Sequence, residues 1–254
     1  MPKMSGMDDM STISHARETA TPITEPDLAP FRTLSSKVYQ VLRDEILSGA
    51  LPPHTRLVRR TISRRLGVSP MPVTEALLRL EQDGLVESEP MFGARVKAWT
   101  LESVRGDEVL REALECQAAR LCAERASDNQ LRELAEEAKT LDAIMAKREE
   151  DSPEGMRAHC EFHVRIARFT GCPALEAELR RVWTRRLMLW NWLNAAMFPV
   201  PEDWHQQLTG ALASRDPDLA GKRAREHVRF NQAKDSEVLK RIQETQRRSA
   251  EWKS

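Results

Sequence analysis

The chain lacks the features that anchor a protein in a membrane or reinforce it with disulfides. None of its apolar runs approaches the roughly 18 residues that a membrane span requires, so we expect no membrane partner. The first residues lack a basic start followed by an apolar core, so no secretory signal is predicted and we expect a cytoplasmic protein. The four cysteines form no Cys-x-x-Cys pair, and a chain of 254 residues can bury a hydrophobic core without disulfide bonds. We therefore interpret the cysteines as reduced core thiols.

The chain also lacks net charge, but its charges are unevenly distributed. Residues 1–30 carry 2 cations and 5 anions, and residues 99–254 carry 26 and 27. Residues 31–98 carry 11 cations and 7 anions, a net charge of +4. This distribution predicts one small domain that contacts a polyanion and a larger remainder with another role.

The basic segment, residues 31–98, has the pattern of a winged helix-turn-helix. Apolar residues at helical spacing begin after Ser35, which we interpret as an N-cap. A helix over 59–66, a tight turn and a helix over 70–82 follow. Two β-prone pieces at 85–87 and 94–96, joined through proline and glycine, predict the hairpin of a wing.

The rest of the chain has helical patterns and no convincing strand, so the predicted fold is mainly α. We expect an all-α bundle over 99–245 that forms an effector- and metal-binding domain, with flexible tails at 1–30 and 246–254. The predicted helices are Val109–Arg125, Asp128–Lys147, Pro153–Thr170, Pro173–Met197, Asp203–Ser214 and Pro217–Thr245.

Four of the six histidines fall on the apolar side of these helical segments. His159 and His163 are spaced i, i+4 on one helix, and His205 and His227 lie on two later helices. Imidazoles placed in this way build a metal cage inside a helical bundle. The alternative is that some of them are buried core residues without a ligand.

The winged segment resembles a known family. Residues 38–49, VYQVLRDEILSG, and the later pieces LGVS at 66–69, EAL at 75–77 and GLV at 84–86 resemble the N-terminal domain of GntR-type bacterial transcriptional regulators. The resemblance covers about residues 33–98. It implies a homodimeric transcription factor that binds a double-stranded DNA operator, since one winged helix reads only a short half-site.

The bundle is similar to the helical effector-binding domain, called FCD, of the fatty-acid-regulator branch of that family. The similarity rests on REALE at 111–115, on Phe162-His163 and on the separation of His205 from His227. In that branch an Asp, a His four residues later and two further His hold a divalent cation near a small carboxylate effector. The resemblance implies the same kind of site here.

His159 occupies the family's Asp position. Four neutral imidazoles leave a divalent ion at net +2, whereas an Asp-His₃ site leaves it at +1. An all-nitrogen shell favours zinc, with nickel or copper as alternatives, over manganese, and it attracts an anionic effector more strongly. Arg111 is the candidate to pair with the effector's carboxylate, and the alternative for Arg111 is a helix-surface salt bridge with Glu115.

The DNA-reading helix departs from the family, which places arginines at the positions of Pro70, Thr74 and Leu78. These three positions, which lie on one side of the helix, therefore provide no arginine to contact guanine. Instead, we expect DNA contacts from arginines of the preceding helix, among which Arg60 matches a family position, from the start of the reading helix and from the wing. These candidates are Arg59, Arg60, Arg64, Ser69, Met71, Thr74 and Gly93. The alternative for the arginines is a solvated helix face.

Two other functions compete with a metal- or effector-responsive regulator. The first is a metalloenzyme, because His159-Cys160-Glu161-Phe162-His163 superficially resembles the HExxH zinc-protease helix. Here Glu161 lies two positions after His159, about 200° around the helix, where it does not reach a metal-bound water. The second is an effector- or metal-binding protein with weakened DNA binding, which the missing arginines suggest. We predict a regulator and not an enzyme.

Overall fold

The structure, a computed structural model, describes residues 33–89, 93–146, 153–193 and 201–230, together with the helical positions 240 and 244. Contacts divide the chain into two units, Met1–Lys97 and Ala98–Ser254. The tails predicted at 1–30 and 246–254 lie outside the described residues, as does nearly all of the helix predicted beyond 230.

The first unit is a winged helix-turn-helix, as predicted. In chain order its elements are α1 (Leu34–Leu47), β1 (Arg56–Leu57), α2 (Arg59–Leu66), α3 (Pro70–Gln82), β2 (Val86–Glu89) and β3 (Gly93–Val96). The strands form an antiparallel sheet in the order β1-β3-β2, in which Leu57 pairs with Ala94 and Val86 with Val96. The short first strand has no counterpart in the predicted elements.

Local signals set the helix ends in this unit. The bounds of α2 and α3 agree with the predicted ranges. Gly67 ends α2 in the left-handed region at φ +66°, and Ser69 stands at the N-cap of α3 before a proline. The N-cap prediction for Ser35 is wrong, because Thr33 Oγ1 accepts the hydrogen bond from Ser36 N at 3.1 Å. A threonine in extended backbone thus caps α1 two residues earlier than predicted.

The core of the first unit is apolar and is anchored by one polar contact. Helix α3 packs against α1, α2 and β2. Tyr39 donates a hydrogen bond from its hydroxyl to Asp83 Oδ2 at 2.6 Å, and burial together with this bond raises the pKa of Tyr39 to about 12. The fully or nearly fully buried side chains include Val38, Leu42, Ile46, Ile62, Leu66, Val73, Leu80, Leu85 and Val96.

The second unit is helical throughout its described part, which confirms the mainly α prediction. Its helices are α4 (Leu101–Arg125), α5 (Asp128–Ala146), α6 (Pro153–Arg168), α7 (Pro173–Leu193), α8 (Trp204–Ala213) and α9 (217–230). Helix α4 begins eight residues before the predicted Val109, because Thr100 and Ser103 form a capping box. The other starts lie within one residue of their predictions.

The bundle packs around α4 and α6. Helix α5 lies against α6 and α8, and α4 lies against α6, α7 and α8. Helix α9 approaches α4 closely at Gly221, where an added Cβ would lie 2.9 Å from Arg120 Cγ. Arg229 on α9 also forms an ion pair with Glu112 on α4 at 2.9 Å. Within the described ranges, no helix combines the length and apolarity that a membrane span needs.

Candidate metal centre and DNA-contacting surface

The four predicted histidines converge inside the second unit. His159 and His163 project from α6, His205 from α8 and His227 from α9, and none is more than 2% exposed. One ring nitrogen from each lies within 4.8 Å of the others, and the Nε2 atoms of His159 and His163 are 3.1 Å apart. Nitrogen ligands of a tetrahedral zinc ion, at about 2.0–2.1 Å from it, are about 3.3 Å apart, so the widest pairs must approach by about 1.5 Å for all four to bind one ion.

Two buried carboxylates orient two of these rings. Glu115 Oε2 lies 3.1 Å from His163 Nδ1, and Asp142 Oδ1 lies 2.7 Å from His205 Nδ1. Burial raises the pKa of each carboxyl, but His163 and Arg111 beside Glu115, and the hydrogen bonds from His205 to Asp142, outweigh it and lower both pKa values. Each carboxylate therefore accepts Nδ1–H and leaves Nε2 as the lone-pair nitrogen.

Several ring nitrogens at the centre have no hydrogen-bond partner among the residues that the structure describes. They are Nδ1 of His159, Nε2 of His205 and both nitrogens of His227. Burial first, and the neighbouring histidines second, lower the pKa of His159 and His227 well below the usual value, which keeps these rings neutral at neutral pH. Neutral, buried nitrogens without partners are costly alone and suit a divalent cation. The residues present therefore fit a metal ion.

Tryptophans form the walls of the cluster. Trp183 stacks on His163 with centroids 4.9 Å apart and planes 18° apart. Trp204 stacks on His227 at 4.8 Å and 16°. Apolar walls exclude water, and they hold the rings in fixed orientations.

Two buried arginines adjoin the histidines. Arg111 is 1% exposed, forms an ion pair with Glu115 (Nε to Oε1, 3.1 Å) and donates to the carbonyl of Val228 at 3.3 Å. Arg186 is 6% exposed and pairs with Glu108. The alternative considered for Arg111, pairing with Glu115, is present, but the pair is buried and not on a helix surface. The contact of Arg111 with an effector stays a prediction.

A pocket between α4 and α7 borders these arginines. Arg185 closes part of it through a bidentate ion pair with Asp107, with distances of 2.6 to 3.1 Å. The pocket is therefore lined by three arginines, by the two carboxylates that pair with them and by one tryptophan, and Arg111 connects it to the histidine cluster through Glu115. Its lining residues include Trp99, Val104, Asp107, Glu108, Arg111, Arg185, Arg186 and Leu189.

The candidate arginines for DNA contact lie on the exposed side of α2. Arg59, Arg60 and Arg64 are exposed, and within the described part of the chain they form no ion pair. Arg65 differs, because it makes two hydrogen bonds to Glu45 at 2.7 and 2.9 Å. Three guanidinium groups are thus available to phosphates, while the fourth is bound within the fold.

The start of α3 is also exposed, as the DNA-contact prediction requires. Ser69 and Met71 are exposed and Thr74 is partly exposed. The Ser69 hydroxyl makes no capping hydrogen bond, and the Thr74 hydroxyl donates to the Pro70 carbonyl at 3.1 Å. These side chains form one surface, and their contacts with bases stay predictions.

Gly93 has a structural role in the sheet. Its φ is +108°, and an added Cβ would lie 2.6 Å from the Leu57 carbonyl oxygen. Only glycine allows β3 to approach β1 so closely. Gly93 is buried, and residues 90–92 lie outside the described residues. Its predicted approach to the minor groove stays a prediction.

Comparison with known proteins decides the family. Residues 34–96 match the gntR family of bacterial regulatory proteins, and residues 108–230 match the FCD domain. The probable D-xylose utilization operon transcriptional repressor of Paenarthrobacter nicotinovorans is 30% identical over 203 residues, which span 77% of this chain and 86% of that protein. The chain belongs to the GntR family.

Other GntR regulators share nearly the full length. The transcriptional repressor RspR of Escherichia coli K12 is 23% identical over 235 residues, which cover 90% of this chain and 97% of RspR. The solved structure of E. coli McbR/YncC has a TM-score of 0.65 and 25% identity, covering 79% of this chain and 96% of that one. The resemblance and the fold inferred from sequence are confirmed.

This GntR-family protein is a DNA-binding transcriptional regulator with an FCD domain. The matching families and relatives are regulators and not enzymes, in agreement with the prediction. The position of Glu161 is consistent with this result, because its carboxylate pairs with Arg180 at 2.6 Å and is about half exposed. It has no place among the buried histidines as a general base.

Sequence reasoning missed Asp142 and Arg186. A signal for Asp142 was available, because it lies four residues after Ala138 and three before Met145 on the apolar stripe of α5. A carboxylate on such a stripe requires a buried partner, which here is His205. Arg186 lies within a predicted helix that carries several arginines, and nothing in the spacing separates it from its exposed neighbours.

Proposed function

We propose that this regulator binds a divalent metal ion through His159, His163, His205 and His227, and that a small carboxylate effector acts at this site to modulate operator binding. The observation that carries the proposal is the convergence of four buried imidazoles from three helices, with ligand nitrogens within 4.8 Å of one another. Unpartnered nitrogens on three of these rings support it.

Zinc is the metal that the donor set favours. Four neutral imidazoles suit zinc, nickel or copper, and a tetrahedral four-ligand arrangement suits zinc. The carboxylates of Glu115 and Asp142 lie one hydrogen bond behind His163 and His205, but Glu115 also pairs with Arg111, so they offset the ion's two positive charges only in part. The charge that an effector meets is therefore set by the buried arginines as well as by the ion.

The effector is a small anion, with a carboxylate as its recognition group. Arg111 lies between two ligand-bearing helices, since Glu115 connects it to His163 and its guanidinium donates to the carbonyl next to His227. Arg186 borders the same pocket. An effector carboxylate that reaches Arg111 competes with Glu115 for the guanidinium group. Because the Glu115 carboxylate also contacts the His163 ring, this competition affects a proposed metal ligand.

The protein acts as a cytoplasmic homodimer on double-stranded DNA. A two-fold dimer doubles the contact made by one winged helix. Val109 and Leu110 on α4 are 72% and 41% exposed, and they support a dimer surface on the bundle. Effector binding shifts the balance between two packings of the bundle to the extent that it prefers one of them.

One experiment tests the metal and effector parts together. Binding of the purified protein to duplex DNA from upstream of its own gene is measured after chelation, after addition of zinc and after addition of small carboxylates. We expect metal to bind at one ion per chain, and carboxylates to change DNA affinity only when metal is present. Unchanged DNA affinity in all conditions contradicts the modulation.

A matched variant pair isolates the site. His227→Ala removes a ring with two unpartnered nitrogens, and His54→Asn changes an exposed histidine outside the cluster. Asparagine suits position 54 because the backbone there has φ of +69°. We expect the first variant to lose metal binding and the second to retain it. Equal metal affinity in both variants contradicts the assignment.

A further inference from the structure

The exposed face of α3 is centred on two apolar side chains. Met71 is 66% exposed and Leu78 is 54% exposed. Seven residues is close to two helical turns, so the two side chains point in nearly the same direction, within about 20°. Val73 and Leu80, which are fully buried, project from the opposite side of the helix. The apolar pair therefore faces away from the core.

Cations border this face without occupying it. Arg79 is the single cation of α3, and its guanidinium lies 4.0 Å over the ring of Tyr39. The exposed arginines that form no ion pair in the described chain, Arg59, Arg60 and Arg64, lie on α2, the first helix of the helix-turn-helix. An apolar centre with a cationic border matches the major groove, which has base edges inside and phosphates at its margins.

The side chains on the face determine which base edge they suit. Pro70, Met71 and Leu78 carry no donor, and the Thr74 hydroxyl donates to the Pro70 carbonyl. Glu75 is also exposed on this side of α3, about 40° around the helix from Met71, and its carboxylate can only accept, which suits the cytosine amino group. Guanine is usually read by arginine, and adenine by asparagine or glutamine, and this face has none of these residues. Thymine is the base with a methyl group in the major groove, and apolar side chains recognise it by contact.

We propose that Met71 and Leu78 read thymine methyl groups, with the Thr74 methyl group between them. The two apolar residues are about 10 Å apart along the helix. This distance corresponds to about three base pairs at 3.4 Å per step. Each operator half-site thus presents thymines about three base pairs apart. The inference rests on the DNA-binding role of the family and on α3 entering the groove.

Replacing thymine by uracil tests this contact directly, because uracil lacks only the methyl group. Duplexes are selected from a random pool with the full-length protein, and the best duplex is synthesised with thymine or with deoxyuridine. The dissociation constant of each duplex is then measured. Burial of one methyl group corresponds to about a fourfold change in affinity. We expect the uracil duplex to bind about fourfold more weakly for each methyl group contacted.

Three variants locate the effect on the protein. Met71→Ala and Leu78→Ala each remove one apolar contact from an exposed position, so the fold is retained. Val58→Ala is the matched control, because Val58 is 37% exposed and lies outside α3. We expect both α3 variants to lower the thymine-to-uracil affinity ratio and the control to preserve it.

Other outcomes overturn the inference in distinguishable ways. An equal affinity of the wild type for thymine and uracil duplexes shows that no methyl group is read. A preference for thymine that persists in both α3 variants places the contact elsewhere. A protein that selects no duplex at all contradicts the DNA-binding role itself, and with it this inference.

Discussion

The winged unit and the helical bundle place their candidate functional side chains in opposite environments. On the winged unit Met71, Arg60 and Arg64 are exposed and make few contacts within the fold. In the bundle the four histidines are buried, and a carboxylate or a tryptophan lies against each of them. An exposed residue can change at almost no cost in stability, whereas a buried polar group requires its partners. The two regions therefore differ in how much stability a substitution at a candidate functional residue costs.

Removal of a ligand histidine has the largest expected effect. We expect His227→Ala to weaken zinc binding more than about 100-fold, since loss of a residue behind the ligands already costs about 10- to 100-fold. Isothermal titration with a competing chelator measures the affinity. The metal-free variant should lose only packing stability, because the His227 nitrogens have no hydrogen-bond partner in the described part of the chain. A zinc affinity of the variant equal to that of the wild type would place the metal at another site.

Neutralisation of an orienting carboxylate has the next largest effect. Asp142→Asn removes the charge and one of two acceptor oxygens, so it keeps only one of the backbone hydrogen bonds that His205 N donates to Oδ1 at 3.0 Å and Gln206 N donates to Oδ2 at 3.1 Å. We expect zinc affinity to fall by about 10- to 100-fold, together with a modest loss of stability at the helix start. Chelator competition gives the affinity, and thermal unfolding of the metal-free protein is the control. A loss of stability without a loss of affinity would make Asp142 only a helix cap.

The third prediction concerns an arginine introduced at position 74 of the winged unit. We expect Thr74→Arg to raise DNA affinity and to steepen the dependence of log affinity on log salt by about 0.9 per subunit. Guanine should also become favoured in selected duplexes. Fluorescence anisotropy at several salt concentrations measures the slope. An unchanged slope and base preference would show that position 74 does not face the DNA.

Removal of an existing arginine has the smallest effect. Arg64→Ala should lower the salt slope by about 0.9 per subunit, because the side chain forms no ion pair in the described residues and is available to a phosphate. Arg65→Ala is the matched control, since Arg65 is bound to Glu45 at 2.7 Å. The control should lower thermal stability and leave the slope unchanged. A lower slope for Arg65→Ala and an unchanged slope for Arg64→Ala would show that Arg65, and not Arg64, contacts the phosphate.

The sequence predicted those parts of the fold that depend on local signals. Helices α2 and α3 have the predicted bounds because Gly67 ends α2 and the Ser69-Pro70 pair begins α3, and each of these signals is local in sequence. The strand Arg56–Leu57 was missed, because two residues are too few to show the alternation of apolar and polar side chains that predicts a strand. The strand forms only by pairing with β3. The start of α4 was predicted too late, because Gly106 resembles a stop although it lies within the helix.

The candidate site was predictable only in part for the same reason. Helical spacing places His159 and His163 on one apolar face, but it gives no information on which helices cover that face. The pairing of Arg111 with Glu115 followed from i, i+4 spacing, whereas its burial depends on neighbouring helices of the bundle. Asp142 is 63 residues from His205 in sequence, and their contact arises from the packing of α5 on α8.

X-ray absorption spectroscopy of the zinc-loaded protein, combined with metal analysis, tests the central claim most directly. The account predicts one zinc ion per chain with four imidazole nitrogens at about 2.0–2.1 Å. It also predicts that this signal is lost in His227→Ala and kept in His54→Asn. A protein that retains no zinc, or a spectrum with fewer than three imidazole ligands, would contradict the proposed metal centre.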